Sequence, residues 1–273
     1  MIAPPSSGPG RIARAFATAR SEGRCALIPY VTAGDPDLAR TRSIVRALGS
    51  AGADLMEIGV PFSDPIADGP VNQRAAERAL RNRVTLRSCL KLAAELRADG
   101  VPPVVLFTYY NPIHRMGPEA FAHAAGLSGV DGVLVTDLPP EEAGDLHGAL
   151  RADGVDLIFL LSPTSSPERV ELVCREASGF IYVISRTGVT GARDDVPGDL
   201  EGQVRAVRRA TSLPIAVGFG ISRPGQAGAI AAYADGIVVG SALVRLIEEN
   251  AASPDLEGRV EEFCRTLRAP LRR

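Results

Sequence analysis

Two carboxylates, Glu57 and Asp68, stand out because their surroundings are unusual for ionised side chains. Glu57 lies between apolar neighbours in residues 55–60, where a charged carboxylate would lose its hydration. Such burial raises the pKa of a carboxyl group toward neutrality, which suits a general acid or base. A structural glutamate held by backbone groups or by an arginine is the alternative, and we expect the catalytic role. Asp68 closes the stiff, proline-rich segment that follows, as either a second working carboxylate or a helix cap.

Two glycine-containing segments near the C-terminus have the composition of a phosphate site. Residues 218–222 follow the seventh apolar run of the chain, and residues 240–243 follow the eighth. Glycine lets the backbone approach an anion closely, and the hydroxyl of Ser241 adds a donor. Each segment alone is equally explained by a tight turn. Because both occur where barrel enzymes often bind phosphate, together they predict a phosphate-binding site.

A long polar segment, residues 185–195, follows the sixth apolar run and contains two glycines. This composition is typical of a lid that closes over a substrate, and a plain flexible loop is the alternative. Tyr182 lies just before it, where an aromatic side chain either lines the mouth of a site or packs in the core.

Several kinds of chemistry lack the residues that they need. Lys91 is the only lysine and lies in a predicted helix, so a Schiff-base mechanism has no suitable amine. The three histidines are not clustered with carboxylates, which excludes the usual metal sites. The four cysteines are far apart and form no CxxC pair. We therefore expect acid–base chemistry by carboxylates on an apolar phosphorylated substrate, without a metal or cofactor in this chain.

The elements that position these residues alternate regularly along the chain. Eight short runs rich in Val, Ile and Leu are hydrophobic on both faces, as parallel strands covered by helices should be. They are residues 26–31, 55–60, 104–109, 132–135, 157–161, 180–184, 214–217 and 236–239. The alternation predicts an α/β fold, a single (β/α)8 TIM barrel, whose active site lies at the C-terminal ends of the strands. A doubly wound open sheet is the alternative, but no GxGxxG follows an early strand.

Amphipathic segments between the runs predict helices at residues 38–48, 86–96, 168–175 and 200–208, several of which end in a glycine signal at Gly52, Gly100, Gly126 or Gly154. Residues 11–20 predict an extra N-terminal helix that covers the barrel floor. Residues 1–10 are rich in Pro, Gly and Ser and predict a disordered lead. No break in composition divides residues 11–273, which we expect to form one catalytic domain.

Composition narrows the functional classes further. Hydrophobic residues make up 45% of the 273 residues, enough for a sizeable core. No run of about 20 apolar residues predicts a membrane span. The net charge of −2, with basic residues scattered among acidic ones, argues against nucleic-acid binding. The first ten residues lack the apolar core of a signal peptide, so we expect a cytoplasmic protein.

Residues 57–70, Glu-Ile-Gly-Val-Pro-Phe-Ser-Asp-Pro-Ile-Ala-Asp-Gly-Pro, resemble the signature of the tryptophan synthase alpha chain family. Residues 29–36, 109–112, 137–142, 185–192 and 218–222 also resemble segments of this family, in the same order. The resemblance covers nearly the whole chain after the lead. It implies a lyase that cleaves indole-3-glycerol phosphate to indole and glyceraldehyde 3-phosphate in tryptophan biosynthesis.

The resemblance also implies residue roles. Glu57 matches the acid/base that protonates the indole C3, and Asp68 matches the carboxylate that binds the indole N–H. Leu27 stands where some members carry Phe, which implies a slightly altered indole wall. The other implied contacts are the aromatic Tyr182, the lid residue Thr190 that orders Asp68, a phosphate cradle of Gly191, Gly220, Gly240 and Ser241, and apolar walls from Phe107 and Phe219.

A partner is implied too. Family members work with a beta subunit that carries pyridoxal phosphate and consumes the indole, which implies an α2β2 heterotetramer. Residues 61–70 and 110–116 are expected to lie at the same barrel face and to dock this subunit through the exposed apolar side chains Phe62, Ile66, Ile113 and Met116. The alternatives are a stand-alone lyase that releases indole for specialised metabolism, an inactive subunit that only activates a partner, and another phosphate-binding barrel such as a sugar-phosphate isomerase.

Overall fold

The computed structural model describes residues 10–184, 199–218 and 220–272. Within them, eight parallel strands close into a barrel in chain order, with the last strand bonded to the first. Each predicted apolar run coincides with a strand to within one residue at either end, which confirms the (β/α)8 barrel. The strands are Ala26–Thr32 (β1), Met56–Gly59 (β2), Val104–Thr108 (β3), Gly132–Val135 (β4), Asp156–Leu161 (β5), Ile181–Ile184 (β6), Ile215–Gly218 (β7) and Gly236–Val239 (β8).

Helices surround the strands. In the described part of the chain they are Arg11–Ser21 (α1), Leu38–Ser50 (α2), Pro70–Arg81 (α3), Leu86–Ala98 (α4), Tyr110–Met116 (α5), Pro118–Leu127 (α6), Gly144–Ala152 (α7), Pro167–Glu176 (α8), Leu200–Ala210 (α9), Pro224–Ala231 (α10), Ser241–Asn250 (α11) and Leu256–Arg268 (α12). The predicted helices lie within α1, α2, α4, α8 and α9. None of the described helices is long and apolar enough to cross a membrane.

One predicted helix end is wrong. Gly52, Gly100 and Gly154 follow their helices with φ of 96°, 73° and 70°, the left-handed conformation that favours glycine. Gly126 instead lies inside α6, and the chain turns at Gly129, with φ 71°. The prediction of a disordered lead falls on residues outside the described part, apart from Gly10, and stays a prediction.

The barrel interior is a packed core that α1 closes from below. Side chains alternate along each strand, so one set points into the barrel and the other packs against the helices. Phe16 of α1 reaches the interior, where its ring lies 5.6 Å from that of Phe180 between ring centroids. Ile12 and Ala19 of the same helix are also buried. The N-terminal helix therefore covers the floor, as its position in the sequence predicted.

A repeated pair of hydrogen bonds fixes the strands at the floor. Before each even-numbered strand, one residue donates its backbone N–H to a carbonyl at the start of the preceding odd-numbered strand. Its side-chain oxygen accepts the N–H of that same partner, at 2.9 Å in all four cases. The pairs are Asp54 with Leu27, Asp131 with Val104, Ser178 with Leu157 and Asp235 with Ile215.

Arginines neutralise the three aspartates of this floor pattern. Arg24 donates two hydrogen bonds to the Asp54 carboxylate, from Nη1 at 2.6 Å and from Nη2 at 2.7 Å. Both side chains are more than 90% buried. Arg11 bonds Asp131 at 2.8 Å, and Arg208 pairs with Asp235. The floor is thus a structural end of the barrel, which leaves the opposite end for chemistry.

Candidate active site

Glu57 lies inside the barrel near its C-terminal end. It occupies β2, with Tyr30 and Val105 as its neighbours in register on the adjacent strands. Its side chain is 1% exposed, and within the described residues neither carboxylate oxygen has a hydrogen-bond partner. Burial raises its pKa to about 8. Glu57 is therefore a mostly neutral acid at pH 7, and no described residue holds it as a structural glutamate would be held.

Aromatic side chains from the neighbouring strands form the walls around Glu57. Tyr30, Phe107 and Tyr182 are all buried and line the same cavity. The rings of Tyr30 and Phe107 meet edge to face, with centroids 5.5 Å apart. The cavity thus offers apolar, flat surfaces of the kind that an aromatic substrate ring requires.

Two glycines make room for the tyrosines of this wall. A Cβ atom on Gly59 would overlap the Tyr30 hydroxyl, and one on Gly218 would overlap the Tyr182 hydroxyl. Glycine at the ends of β2 and β7 therefore lets each ring from the adjacent strand lie across its neighbour. The shape of the cavity depends on these two absent side chains as well as on the rings themselves.

Asp68 is held at the rim of the cavity by Tyr109. The Tyr109 hydroxyl donates to Asp68 Oδ2 at 3.0 Å and accepts the Ala67 N–H at 3.0 Å. The Tyr109 ring is in turn stacked on Phe62, with centroids 4.9 Å apart. Burial raises the pKa of Asp68, and hydrogen bonds from Tyr109 and Asn72 act to lower it. Because α3 begins at Pro70 with Gly69 as its N-cap, Asp68 is not the cap of that helix.

Helix α3, which follows Asp68, is held in place by hydrogen bonds and ion pairs of its side chains. Gln73 Nε2 donates to the Asp68 carbonyl at 2.9 Å. Further along the helix, Arg78 bonds both oxygens of the buried Asp35 at 2.8 Å and Glu248 of α11 at 2.6 Å. Since α11 begins at the predicted phosphate site, these ion pairs fix the segment that carries Asp68 relative to that site.

A second part of the same cavity, formed by the segments after β7 and β8, has the properties of an anion site. Gly220, Gly240 and Ser241 line it, and α11 begins at Ser241 without a side-chain cap on its N-terminus. The first N–H groups of a helix are unpaired and carry a partial positive charge. None of the described residues that line the cavity is a lysine or an arginine. An anion here would be held by backbone N–H groups and the Ser241 hydroxyl.

Most of the predicted site residues lie together. One cavity is lined by Glu57, Asp68, Phe107, Tyr182, Gly220, Gly240 and Ser241. The predicted residues Thr190, Gly191 and Phe219, and the predicted lid at residues 185–195, lie outside the described part of the chain. Within that part, no group of His, Cys, Asp or Glu side chains could hold a metal ion. Lys91 is exposed on α4 and does not line the cavity.

Some residues of the cavity were not predicted from the sequence, and one predicted residue lies elsewhere. Tyr30 and Asn72 line it, and Tyr109 positions Asp68, but none of them was assigned a role. Leu27 was expected at the indole wall, yet it packs in the outer layer between strands and helices. Because side chains alternate along β1, Ile28 and Tyr30 face inward instead. Counting by twos along β1 would have found Tyr30.

Comparison with known proteins agrees with this geometry. The family model of the tryptophan synthase alpha chain matches residues 16–271. A tryptophan synthase alpha chain from Geobacter sp. (strain M21) is 54% identical over 247 residues, which cover 90% of this chain and 92% of that one.

Solved structures are similar over nearly the whole chain. Tryptophan synthase from Mycobacterium tuberculosis gives a TM-score of 0.90 at 36% identity, covering 97% of this chain and 100% of that chain. Tryptophan synthase subunit alpha from Legionella pneumophila str. Paris gives 0.87 at 35% identity, covering 97% and 99%. The chain therefore belongs to the tryptophan synthase alpha chain family, and it is a lyase that cleaves indole-3-glycerol phosphate.

Proposed function

We propose that Glu57 and Asp68 together carry out the cleavage of indole-3-glycerol phosphate to indole and glyceraldehyde 3-phosphate. The observation that supports this most is the state of Glu57. It is a buried carboxyl with a pKa of about 8 that faces the same cavity as Asp68. Such a group holds a proton at neutral pH and can still release it, as a general acid must.

The reaction divides into two proton transfers. Glu57 protonates C3 of the indole, which turns the ring into a cationic leaving group. The resulting Glu57 carboxylate then accepts the proton of the hydroxyl on the carbon attached to C3. The bond between these two carbons breaks, its electron pair returns to the indole ring, and the hydroxyl carbon becomes the aldehyde. Glu57 ends protonated, as it began, and the balance requires no cofactor.

Asp68 stabilises the charge that develops in this sequence. Positive charge spreads from the protonated C3 to the ring nitrogen, and an oriented carboxylate that accepts the N–H lowers the energy of that state. The hydrogen bond from Tyr109 fixes the orientation in advance. The phosphate, bound at Gly220, Gly240 and Ser241, supplies binding energy remote from the reacting bond and holds C3 against Glu57.

The test is indole release by purified variants. Glu57→Gln keeps the size of the side chain but cannot supply the proton, so turnover should fall by about 10²-fold or more. Asp68→Asn should lower turnover similarly while still binding glycerol phosphate. Asp64→Asn is the matched control, because Asp64 is an exposed carboxylate of the same segment whose side chain bonds only the neighbouring Ser63 among the described residues. Near-normal indole release by folded Glu57→Gln would refute the assignment.

We further propose that this chain docks a beta subunit that carries pyridoxal phosphate, in an α2β2 complex, while the chain itself uses no cofactor. A groove runs between the segment after β2 and helix α5, lined by Phe62, Arg115 and Met116 among others. Ile66, four residues after Phe62 in the same segment, is 84% exposed. Exposed apolar groups beside a groove at the active face suit a docking surface.

One part of the docking prediction is wrong. Ile113 was expected to be exposed, but it is fully buried because Tyr110–Met116 forms a helix that turns this side chain into the core. Phe62 is partly buried against Tyr109. Ile66 is therefore the residue on which the docking proposal depends most.

Titration of a purified beta-type subunit into the lyase assay tests the partner. Binding should raise turnover by about 5- to 150-fold, the usual range for coupled sites. Ile66→Asp should weaken this activation and leave the activity of the free chain near normal. Leu127→Asp is the control, because Leu127 is 58% exposed at the far end of α6. No rise in rate and no complex on sedimentation would favour a stand-alone lyase.

A further inference from the structure

Asn72 has a buried polar atom that the reaction as proposed does not use. It lies in the first turn of α3, four residues after Asp68, and lines the cavity together with Glu57 and Ser241. Its amide oxygen Oδ1 is fully buried and finds no donor in the part of the chain that the structure describes. A buried amide oxygen ordinarily has a donor, so an unpaired one that lines a substrate cavity indicates that the donor comes with the substrate.

The orientation of the amide follows from its neighbour. The Asn72 side chain acts as a donor toward the Asp68 carboxylate and thereby lowers the pKa of Asp68. A carboxylate can only accept hydrogen bonds, so the group that faces Asp68 must be the NH2 of the amide, Nδ2. Oδ1 is then necessarily the acceptor on the other side of the amide. The side chain therefore presents a donor to Asp68 and an acceptor to a second group.

The chemistry of the substrate limits which group that is. Indole-3-glycerol phosphate carries three donors at neutral pH: the indole N–H and two hydroxyls. In the proposed reaction Asp68 takes the indole N–H, and Glu57 takes the hydroxyl on the carbon attached to the ring. The hydroxyl on the middle carbon of the glycerol chain remains. It lies between the indole and the phosphate, and the cavity that Asn72 lines joins Asp68 to Gly240 and Ser241.

We infer that Asn72 is a substrate-binding residue, whose Oδ1 accepts a hydrogen bond from the middle hydroxyl of the glycerol chain while Nδ2 positions Asp68. This inference rests on the proposed function. One amide then has two roles. It orients the carboxylate of Asp68, and it binds the hydroxyl in the part of the substrate that becomes glyceraldehyde 3-phosphate.

The experiment compares two ligands that differ only in hydroxyls. Indole-3-glycerol phosphate has both, whereas indole-3-propanol phosphate has the same ring, chain length and phosphate but neither hydroxyl. Dissociation constants are measured by calorimetry in the Glu57→Gln background, where turnover is expected to be slower by about 10²-fold or more. Adding Asn72→Leu should weaken binding of the glycerol ligand roughly 5- to 10-fold, the loss of one hydrogen bond, and change binding of the propanol ligand by less than about twofold.

A second variant separates the two tasks. Asn72→Asp keeps an oxygen at the acceptor position but offers Asp68 no donor. It should retain the preference for the hydroxylated ligand. In the Glu57-containing enzyme it should lower kcat and move the acidic limb of the pH profile to higher pH, because the pKa of Asp68 rises without its donor. A purely structural role would not move that limb.

The outcomes that overturn the inference are specific. An equal loss of affinity for both ligands in Asn72→Leu would mean that the residue only shapes the cavity. Unchanged affinity for both would mean that Oδ1 does not meet the substrate. Failure of the proposed function is a separate result, namely near-normal indole release by folded Glu57→Gln, which is measured before the binding comparison is made.

Discussion

Replacing Glu57 with Gln should make the protein more stable than the unmodified protein, and this difference should grow as the pH rises. The same variant is the one that loses turnover. Burial raises the pKa of Glu57 from its ordinary 4.5 to about 8. The folded protein therefore binds a proton more tightly than the unfolded chain does, and its stability falls as the pH rises from about 4.5 to about 8. Gln does not titrate and escapes this loss.

The magnitude follows from the same pKa. A tenfold change in proton affinity is worth about 1.4 kcal/mol, so the burial of Glu57 costs about 4 kcal/mol at pH 8 and about 5 kcal/mol well above it. At pH 7 the cost is about 3 kcal/mol, because the folded carboxyl is still mostly protonated there. Below pH 4.5 both states are protonated and the cost disappears. The difference between the variant and the original should therefore grow with pH.

Chemical denaturation at pH 4.5, 7 and 8.5 measures this difference as the change in the free energy of unfolding. The test is the increase of this difference with pH. Its absolute value at any one pH is not a test, because burying the Gln amide also costs free energy. Glu249→Gln is the control, since Glu249 is exposed, and it should follow the unmodified protein at every pH. A difference for Glu57→Gln that stays constant between pH 4.5 and 8.5 would show that Glu57 is not buried as a neutral acid.

Three further changes test the structure around the site. Tyr109→Phe removes the donor to Asp68, so kcat/KM should fall by about 10-fold with little change in the free energy of unfolding; unchanged kinetics would remove Tyr109 from its positioning role. Gly218→Ala places a Cβ against a tyrosine hydroxyl and should cost about 1–3 kcal/mol in urea denaturation, whereas an unaffected midpoint would show that the ring has space to move. Asp54→Ala leaves the buried Arg24 with Glu22 as its remaining carboxylate partner and should cost about 3 kcal/mol while kcat stays near normal; a large loss of kcat in the folded variant would contradict a purely structural floor.

The strands could be predicted from the sequence because their signal is local. Strands buried on both faces are continuous apolar runs, and Glu57 was conspicuous as the one charge inside such a run. The glycine segments at the phosphate end were found for the same reason, since their composition is read over a few residues. The barrel order then follows from alternation, because sequential parallel strands joined by helices have few other solutions.

The remaining site residues could not be predicted because their roles arise from contacts across the fold. Nothing near Tyr109 in the sequence shows that its hydroxyl reaches Asp68, 41 residues away. Asn72 is an ordinary polar residue until α3 is known to start at Pro70, which places it one helical turn from Asp68. Ile113 was placed at the surface because its segment was not recognised as a helix with a buried face.

The floor pattern divides the barrel into four modules of two strands each. Within a module the strands are joined at their start by two hydrogen bonds, one through the side chain of Asp54, Asp131, Ser178 or Asp235. Between modules the corresponding strand starts share a single backbone bond, as from Met56 to Pro103 or from Ala26 to Asp235. At their starts, strands of different modules are thus joined less firmly than the two strands of one module. A circularly permuted chain that begins at β3, β5 or β7 keeps every module continuous, so these are the natural points at which to cut and rejoin this fold.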